Sequence, residues 1–308
     1  MQRLCACLGV SQRILSMTGK LDGPGDVIPP ESPAIGAASP GVGTPVLGQA
    51  GLQHSAPSLR TRIILSGLVT ALALFVLFSP WPLQEKLRTI GHACCAQIPS
   101  HTIRFDGQPM PIDSRNSGIY TGVLMVVAIM WLTGRRKAAL FVPPMLRNLL
   151  MLVVLAMILD GFNSLAQTHH LHTYYQPSNT IRVITGTLSG MALAILTVPL
   201  FNSLVWRNPE DLAIADDFTD LVGYLVGAVV IIITLLQAPL LLYYPMSILS
   251  ILGLLVTLTF VNTCIGVVSF RRENRIDTIL AFVIPGLGGL VSACFEIMAL
   301  DIWRVFQH

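Results

Sequence analysis

"LRNLLMLVVLAMILDGFNSLA", residues 146–166, is apolar along nearly its whole length, with one base near its start and one acid, Asp160, in its last third. An α-helix rises about 1.5 Å per residue, so crossing a hydrocarbon layer of roughly 30 Å takes about 20 mostly apolar residues. This stretch meets that requirement without a proline inside it. Working outward, the same test selects residues 63–82, 118–133, 181–206, 221–242, 246–270 and 278–303. The expected fold is therefore all-α: a polytopic membrane helix bundle of about seven transmembrane helices. The span at 118–133 is short, and "QAP" at 237–239 interrupts the one at 221–242.

Composition agrees. The 308 residues are 53% hydrophobic and 11% charged, with a mean hydropathy of +0.68, whereas a soluble domain carries roughly a quarter charged residues. The expected partner is the lipid bilayer, together with other membrane subunits. A net charge of +3, scattered in short clusters beside apolar runs, excludes a nucleic-acid-binding design. Residues 1–60 are rich in Gly and Pro and have no helical period, which predicts a disordered cytoplasmic tail. Three segments follow from this: the tail at 1–60, a four-helix membrane region at 61–206, and three further transmembrane helices at 207–308. "MQRLCACLGV" is too short an apolar stretch for a secretory signal.

Orientation follows from the basic residues. With the N-terminus inside, the cytoplasmic side receives Arg60, Arg62, Arg135, Arg136, Lys137, Arg147, Arg207, Arg271, Arg272 and Arg275. The other side receives Lys86, Arg88, Arg104, Arg115, Arg182 and Arg304. The dense clusters fall on one side, which favours an inside N-terminus and an outside C-terminus in a multi-pass protein of the cell membrane.

Small residues recur at four-residue spacing at Gly186 and Gly190 and at Gly223 and Gly227, with Gly286, Gly289 and Ala293 close to that pattern. In lipid, such residues let helix backbones approach, so packing is their expected role. "IPGLGG" at 284–289 is also a candidate break in the last helix, of the kind that lines transporter cavities.

On this topology the polar residues gather at the outer boundary. Asp160 lies thirteen positions after Arg147, about 20 Å along a helix, and a buried carboxylate there needs a partner. Arg115 and Arg182 are the candidates. The outer-face cluster expected from sequence is Cys95, Gln97, Asp113, Arg115, Tyr120, Asp160 and Arg182. It serves either as a charge clamp between helices or as a polar pocket for an anion, a proton or a metal. Cys94 and Cys95 admit loop packing, disulfide or redox work, or metal binding. The metal reading, for zinc or copper, would use His92, Cys95, His101, His169, His170 and His172, with Asp113 as a further ligand. No tight C-x-x-C or H-x-x-x-H spacing supports it, so no cofactor is predicted. Glu296 is a second intramembrane acid, expected to be hydrogen-bonded within the bundle.

The motifs between residues 90 and 205 resemble those of the bacterial and archaeal membrane proteins grouped as domain of unknown function 2085 (DUF2085). Cys95, Gln97 and Pro99 fit its Cys-His-Gln-x-Pro motif, and Pro111 and Arg115 its Pro-x-Cys-x-Arg segment. Gly118, Tyr120 and Gly122 fit Gly-x-Tyr-x-Gly, Asp160 and Gly161 fit Asp-Gly, and Arg182, Thr185, Gly186 and Gly190 fit Arg-x-x-Thr-Gly-x-x-x-Gly. The resemblance implies a prokaryotic polytopic membrane protein with a polar constellation on one face. The chain departs from the pattern at Ala96 in place of His, at His101 and Thr102 in place of Arg-Ser, and at Asp113 in place of a second Cys.

No phosphate-binding G-x-x-x-x-G-K, no G-x-S-x-G nucleophile turn and no H-E-x-x-H zinc pattern occurs. The favoured reading is a non-enzymatic bundle or subunit of a membrane assembly. A small-solute or ion transporter is the alternative, and a metal- or redox-dependent membrane protein the third.

Overall fold

In the computed structural model the described residues are Gly67 and 80–305. The stretch 1–60 and nearly all of the expected span at 63–82 lie outside them. Among residues 80–305 an amphipathic helix, α1 (Leu83–Cys94), comes first. It is followed by α2 (Ser114–Leu132), α3 (Pro144–Thr168), α4 (Asn179–Val205), α5 (Phe218–Gln237), α6 (Tyr243–Ser269) and α7 (Ile279–Val305). Among the described residues six helices, α2 to α7, are long and apolar enough to cross a membrane.

The fifth expected span is shorter than its apolar run. It ends at Gln237, where Ala238 adopts a left-handed conformation (φ 44°) and closes the last turn through its N–H onto the Thr234 carbonyl. Pro239 follows and cannot continue a helix, so "QAP" is a terminus and not an internal interruption. The candidate break at 284–289 is also absent: α7 runs unbroken through Pro285. The Pro285 carbonyl lies 3.4 Å from the Thr263 hydroxyl of α6.

The all-helical expectation is modified by two small sheets. Arg104–Phe105 (β1) pairs antiparallel with Gln108–Pro109 (β2) across Asp106 (φ 46°) and Gly107 (φ 84°), the Asp-Gly pair that a tight hairpin favours because both positions need positive φ. At the opposite end of the bundle Ala138–Leu140 (β3) pairs parallel with Glu210–Ala213 (β4).

Close backbone approach organises the centre. A side chain added at Gly118 would meet the Thr187 N–H at 2.7 Å, and one at Gly122 the Thr187 carbonyl at 2.6 Å. On the facing helix, Gly186 abuts the Arg115 carbonyl and Gly190 the Ile119 carbonyl. The matched order of these contacts makes α2 and α4 parallel neighbours with almost nothing between their backbones. Gly253 of α6 approaches the Tyr120 carbonyl of α2 in the same way, which is the packing expected where lipid supplies no hydrophobic drive for helix association. Below the seam, Val126, Ile195, Leu150 and Ala228 form a fully buried core drawn from α2, α4, α3 and α5.

The expected small-residue pairs divide. Gly186 and Gly190 form the seam and Gly227 meets the Met125 side chain, but Gly223 has nothing within 4 Å. That contrast gives a test. Gly190→Val should lower the melting temperature of the detergent-solubilised protein, since overpacking a tight site costs about 1–3 kcal/mol or more. Gly223→Val should leave it nearly unchanged. Equal effects at the two positions would contradict the seam.

Candidate functional site

Residues 80–117, 169–179 and 238–243, with the end of α7, meet at one end of the bundle. There α3 carries a polar face at helical spacing, Asp160, Asn163, Ser164 and Gln167, turned toward α2 and α4. Asp160 is 3% exposed. Its Oδ2 accepts from Arg115 Nη2 at 2.6 Å, and the same guanidinium nitrogen reaches the Asp160 carbonyl at 3.2 Å and the Ser164 hydroxyl at 2.9 Å. Oδ1 accepts from the Tyr175 hydroxyl, and the Thr185 hydroxyl of α4 lies 3.2 Å from Oδ2.

Tyr175 belongs to the connector between α3 and α4, and Asn163 holds that connector in place. The Asn163 side chain donates to the Tyr175 carbonyl and accepts from the Tyr174 N–H, each at 2.9 Å. Burial together with the hydrogen bond to Asp160 pushes the Tyr175 phenol up to about 12, so it stays protonated and donates across the physiological range. The sequence reading named Asp160 and Arg115 but passed over Asn163, Ser164 and Tyr175. The i, i+3, i+4 spacing of Asp160, Asn163 and Ser164 was the available signal.

Of the two candidate partners for Asp160, Arg115 makes the pair and Arg182 does not. Arg182 is 4% exposed, and among the described residues its guanidinium hydrogen-bonds only from Nη1 to the Asn179 side chain at 3.0 Å. Its Nε and Nη2 have no hydrogen-bond partner among the described residues.

A second cluster sits at the start of α2. Asp113 caps that helix by accepting from the Asn116 N–H at 2.8 Å. The Cys95 thiol donates to Asp113 Oδ2 at 3.2 Å, while Sγ accepts from the Asp113 and Gln97 N–H groups. The Gln97 amide donates to the carbonyls of Arg88 and Pro111, tying the end of α1 to the entry of α2. Tyr120 packs with Cys94, Cys95, Leu87 and Ile251 in an apolar cluster. The seven residues of the expected cluster thus divide into an ion-paired network (Arg115, Asp160), a thiol and cap cluster (Cys95, Gln97, Asp113), an apolar neighbour (Tyr120) and a cation outside both (Arg182).

Of the candidate metal ligands only His101 and His170 come together, in the wall of one cavity. His92 pairs with Asp301 of α7 at 2.7 Å, and His172 stacks edge-on against Tyr174. His169 and His170 are exposed, and Cys95 faces Asp113. Among the described residues no three His, Cys, Asp or Glu side chains form a metal-holding group. Cys94, Cys95, Cys264 and Cys294 are free thiols. Glu296 is half-buried and accepts from Asn262 of α6 at 3.1 Å.

Comparison with known proteins places these contacts in a family. The family described as predicted membrane protein (DUF2085) matches residues 95–196, which is the connector after α1 together with α2, α3 and most of α4. An uncharacterised protein of the archaeon Methanothermobacter thermautotrophicus is 31% identical over 103 residues, covering 33% of this chain and 83% of that protein. The chain belongs to the DUF2085 family. No solved structure matches it. The DUF2085 segment holds both clusters complete, including Cys95, Asp113, Arg115, Asp160, Tyr175 and Arg182. The helices α1, α5, α6 and α7 lie outside it.

Burial and the adjacent Asp113 carboxylate push the Cys95 thiol up to about 11, leaving little thiolate at neutral pH. Cys95 should therefore react with iodoacetamide at pH 8 far more slowly than a free cysteine. Asp113→Asn removes the neighbouring negative charge, lowers the thiol pKa and should speed alkylation. An unchanged or slower rate in this variant, measured by mass spectrometry, would show that Asp113 does not control the thiol.

Proposed function

We propose that this chain is a non-enzymatic membrane bundle acting as a subunit of a larger membrane assembly, and that the Arg115–Asp160 network is the clamp holding α2, α3 and α4 in register. One observation carries the reading: both oxygens of Asp160 are engaged by protein groups, Oδ2 by Arg115 and Oδ1 by Tyr175. An acid that carries protons or ions must exchange partners, whereas one bonded by Arg115 of α2, Thr185 of α4 and Tyr175 of the following connector serves to fix geometry. The carrier alternative has less to stand on, since α7 is continuous through Pro285 and Glu296 is bonded to Asn262.

The proposed setting is the cell membrane, with the connector end outside. Support comes from Arg135, Arg136, Lys137, Arg207, Arg271, Arg272 and Arg275, which share the end opposite the Asp160 network and so match the positive-inside bias. Labelling of intact cells by an impermeant thiol reagent at a cysteine introduced at exposed Ser100 tests this, and protection there with labelling at Arg272→Cys would reverse it.

Asp160→Asn should lower stability in detergent by about 3 kcal/mol or more, because it leaves a largely buried guanidinium without its counter-charge. Adding Arg115→Met to it should recover part of that loss, since the pair would then be removed together. Native mass spectrometry of the wild type from mild detergent should show a complex with other subunits. A strictly monomeric particle, or proteoliposome flux that depends on Asp160 in a variant that still folds, would overturn the proposal.

A further inference from the structure

Of the two arginines considered for Asp160, Arg182 is left without an acid among the described residues, and it stands in the wall of a cavity. The cavity, about 300 Å³, opens at the connector end and is lined by Ser100, His101, Gln167, Thr168, His170 and Arg182, with Ile98 and Pro177. No carboxylate lines it among the described residues. The side chains of Ser100, His101, Gln167 and His170 make no hydrogen bond to any described residue. Arg182 therefore brings to this wall a buried positive charge whose Nε and Nη2 have no hydrogen-bond partner among the described residues and are themselves closed off from solvent, beside several uncommitted polar side chains from the 95–113 connector and the end of α3.

A buried charge is costly unless paired, and the acids nearest Arg182 are committed elsewhere. Asp160 is held by Arg115 and Tyr175, and Asp113 by Cys95 and the first turn of α2. Among the described residues no carboxylate lies within ion-pair distance of Arg182. Arg115 is a second cation close by, so the local field favours an anion. Burial and the neighbouring Arg182 pull the His101 imidazole below its ordinary value, and a neutral imidazole still offers one N–H.

We propose that this cavity binds a phosphate-type oxyanion, with Arg182 supplying the charge and Ser100, His101, Gln167 and His170 the surrounding hydrogen-bond donors. Donors arriving from separate segments surround a tetrahedral group instead of edging a planar one, and a guanidinium keeps its charge throughout the physiological pH range. The volume is at the small end of ligand pockets, about 300–1,000 Å³. It fits an inorganic phosphate or a single headgroup, and its place at the mouth of the bundle gives access to both. This site lies apart from the Asp160 clamp, and its occupancy does not depend on the subunit reading.

The test uses the full chain purified in phosphate-free buffer. In one arm sodium phosphate is titrated against sodium chloride at matched ionic strength, and the melting temperature and calorimetric binding are read. In the other, the protein in phosphatidylcholine nanodiscs is compared with the protein in nanodiscs that also contain phosphatidic acid. Saturable stabilisation in the first arm identifies free phosphate as a source, and in the second a lipid headgroup. Either result supports the site if Arg182→Met weakens the response about tenfold or more. That variant should keep or raise the melting temperature without ligand, because the cation removed had no counter-charge. Should Arg182→Met fail to fold, the double variant Ser100→Ala/His101→Ala at the half-exposed rim must still weaken binding several-fold. No saturable response in either arm, or one that these substitutions leave undiminished, overturns the proposal.

Discussion

The near-contact between the backbones of α2 and α4 sets the positions of everything at the connector end. Gly186 lies against the Arg115 carbonyl, so the first turn of α2 is fixed beside the second turn of α4 with no side chain between them. From that position the Arg115 side chain extends to Asp160 and Ser164 on α3, and Thr185, one residue before Gly186, faces the same carboxylate. A larger residue at Gly186 would displace the base of Arg115 by more than a hydrogen bond tolerates. Shape complementarity along the seam thus precedes the ion pair, which would otherwise have to offset the desolvation of two charges without fixed geometry.

The two arginines of this region show how one residue type acquires opposite roles from its surroundings. Arg115 reaches an acid whose remaining oxygen is occupied by Tyr175, so the charge is neutralised inside the protein. Arg182, three residues before Thr185, stands in the wall of the neighbouring cavity, where the described residues provide hydroxyl, amide and imidazole groups but no acid.

The spans were legible because apolar runs of helical length have few other uses. Each helix from α2 to α7 falls within a few residues of its apolar run, with the largest difference where Ala238 and Pro239 end α5. The need of Asp160 for a basic partner was legible too, since an acid deep in such a run cannot stand alone. What sequence did not show depended on distances between segments. Arg115 and Arg182 were equal candidates until the seam set which one faces α3. Helix α1 is not an apolar run: Leu87, Ile90 and Cys94 are separated by Arg88 and Thr89 and by Gly91, His92 and Ala93, a pattern that fits a helix lying against a bundle better than one crossing a bilayer. The hairpin at Asp106 and Gly107 carried the usual turn pair, but its flanking strands are two residues each, too short for alternation to register.

That hairpin also bears on the order in which the molecule is completed. Phe105 is fully buried, and the groups that cover it, Val183, Leu235, Tyr243 and Met246, come from α4, α5 and α6, all made later than the hairpin itself. Chains emerge from their N-terminal end first, so this aromatic ring waits without its cover while most of the remaining helices are synthesised. Only Val183 among these groups belongs to the segment matched by the DUF2085 family. Helices α5 and α6 therefore complete, late in synthesis, the cover of a connector made before them.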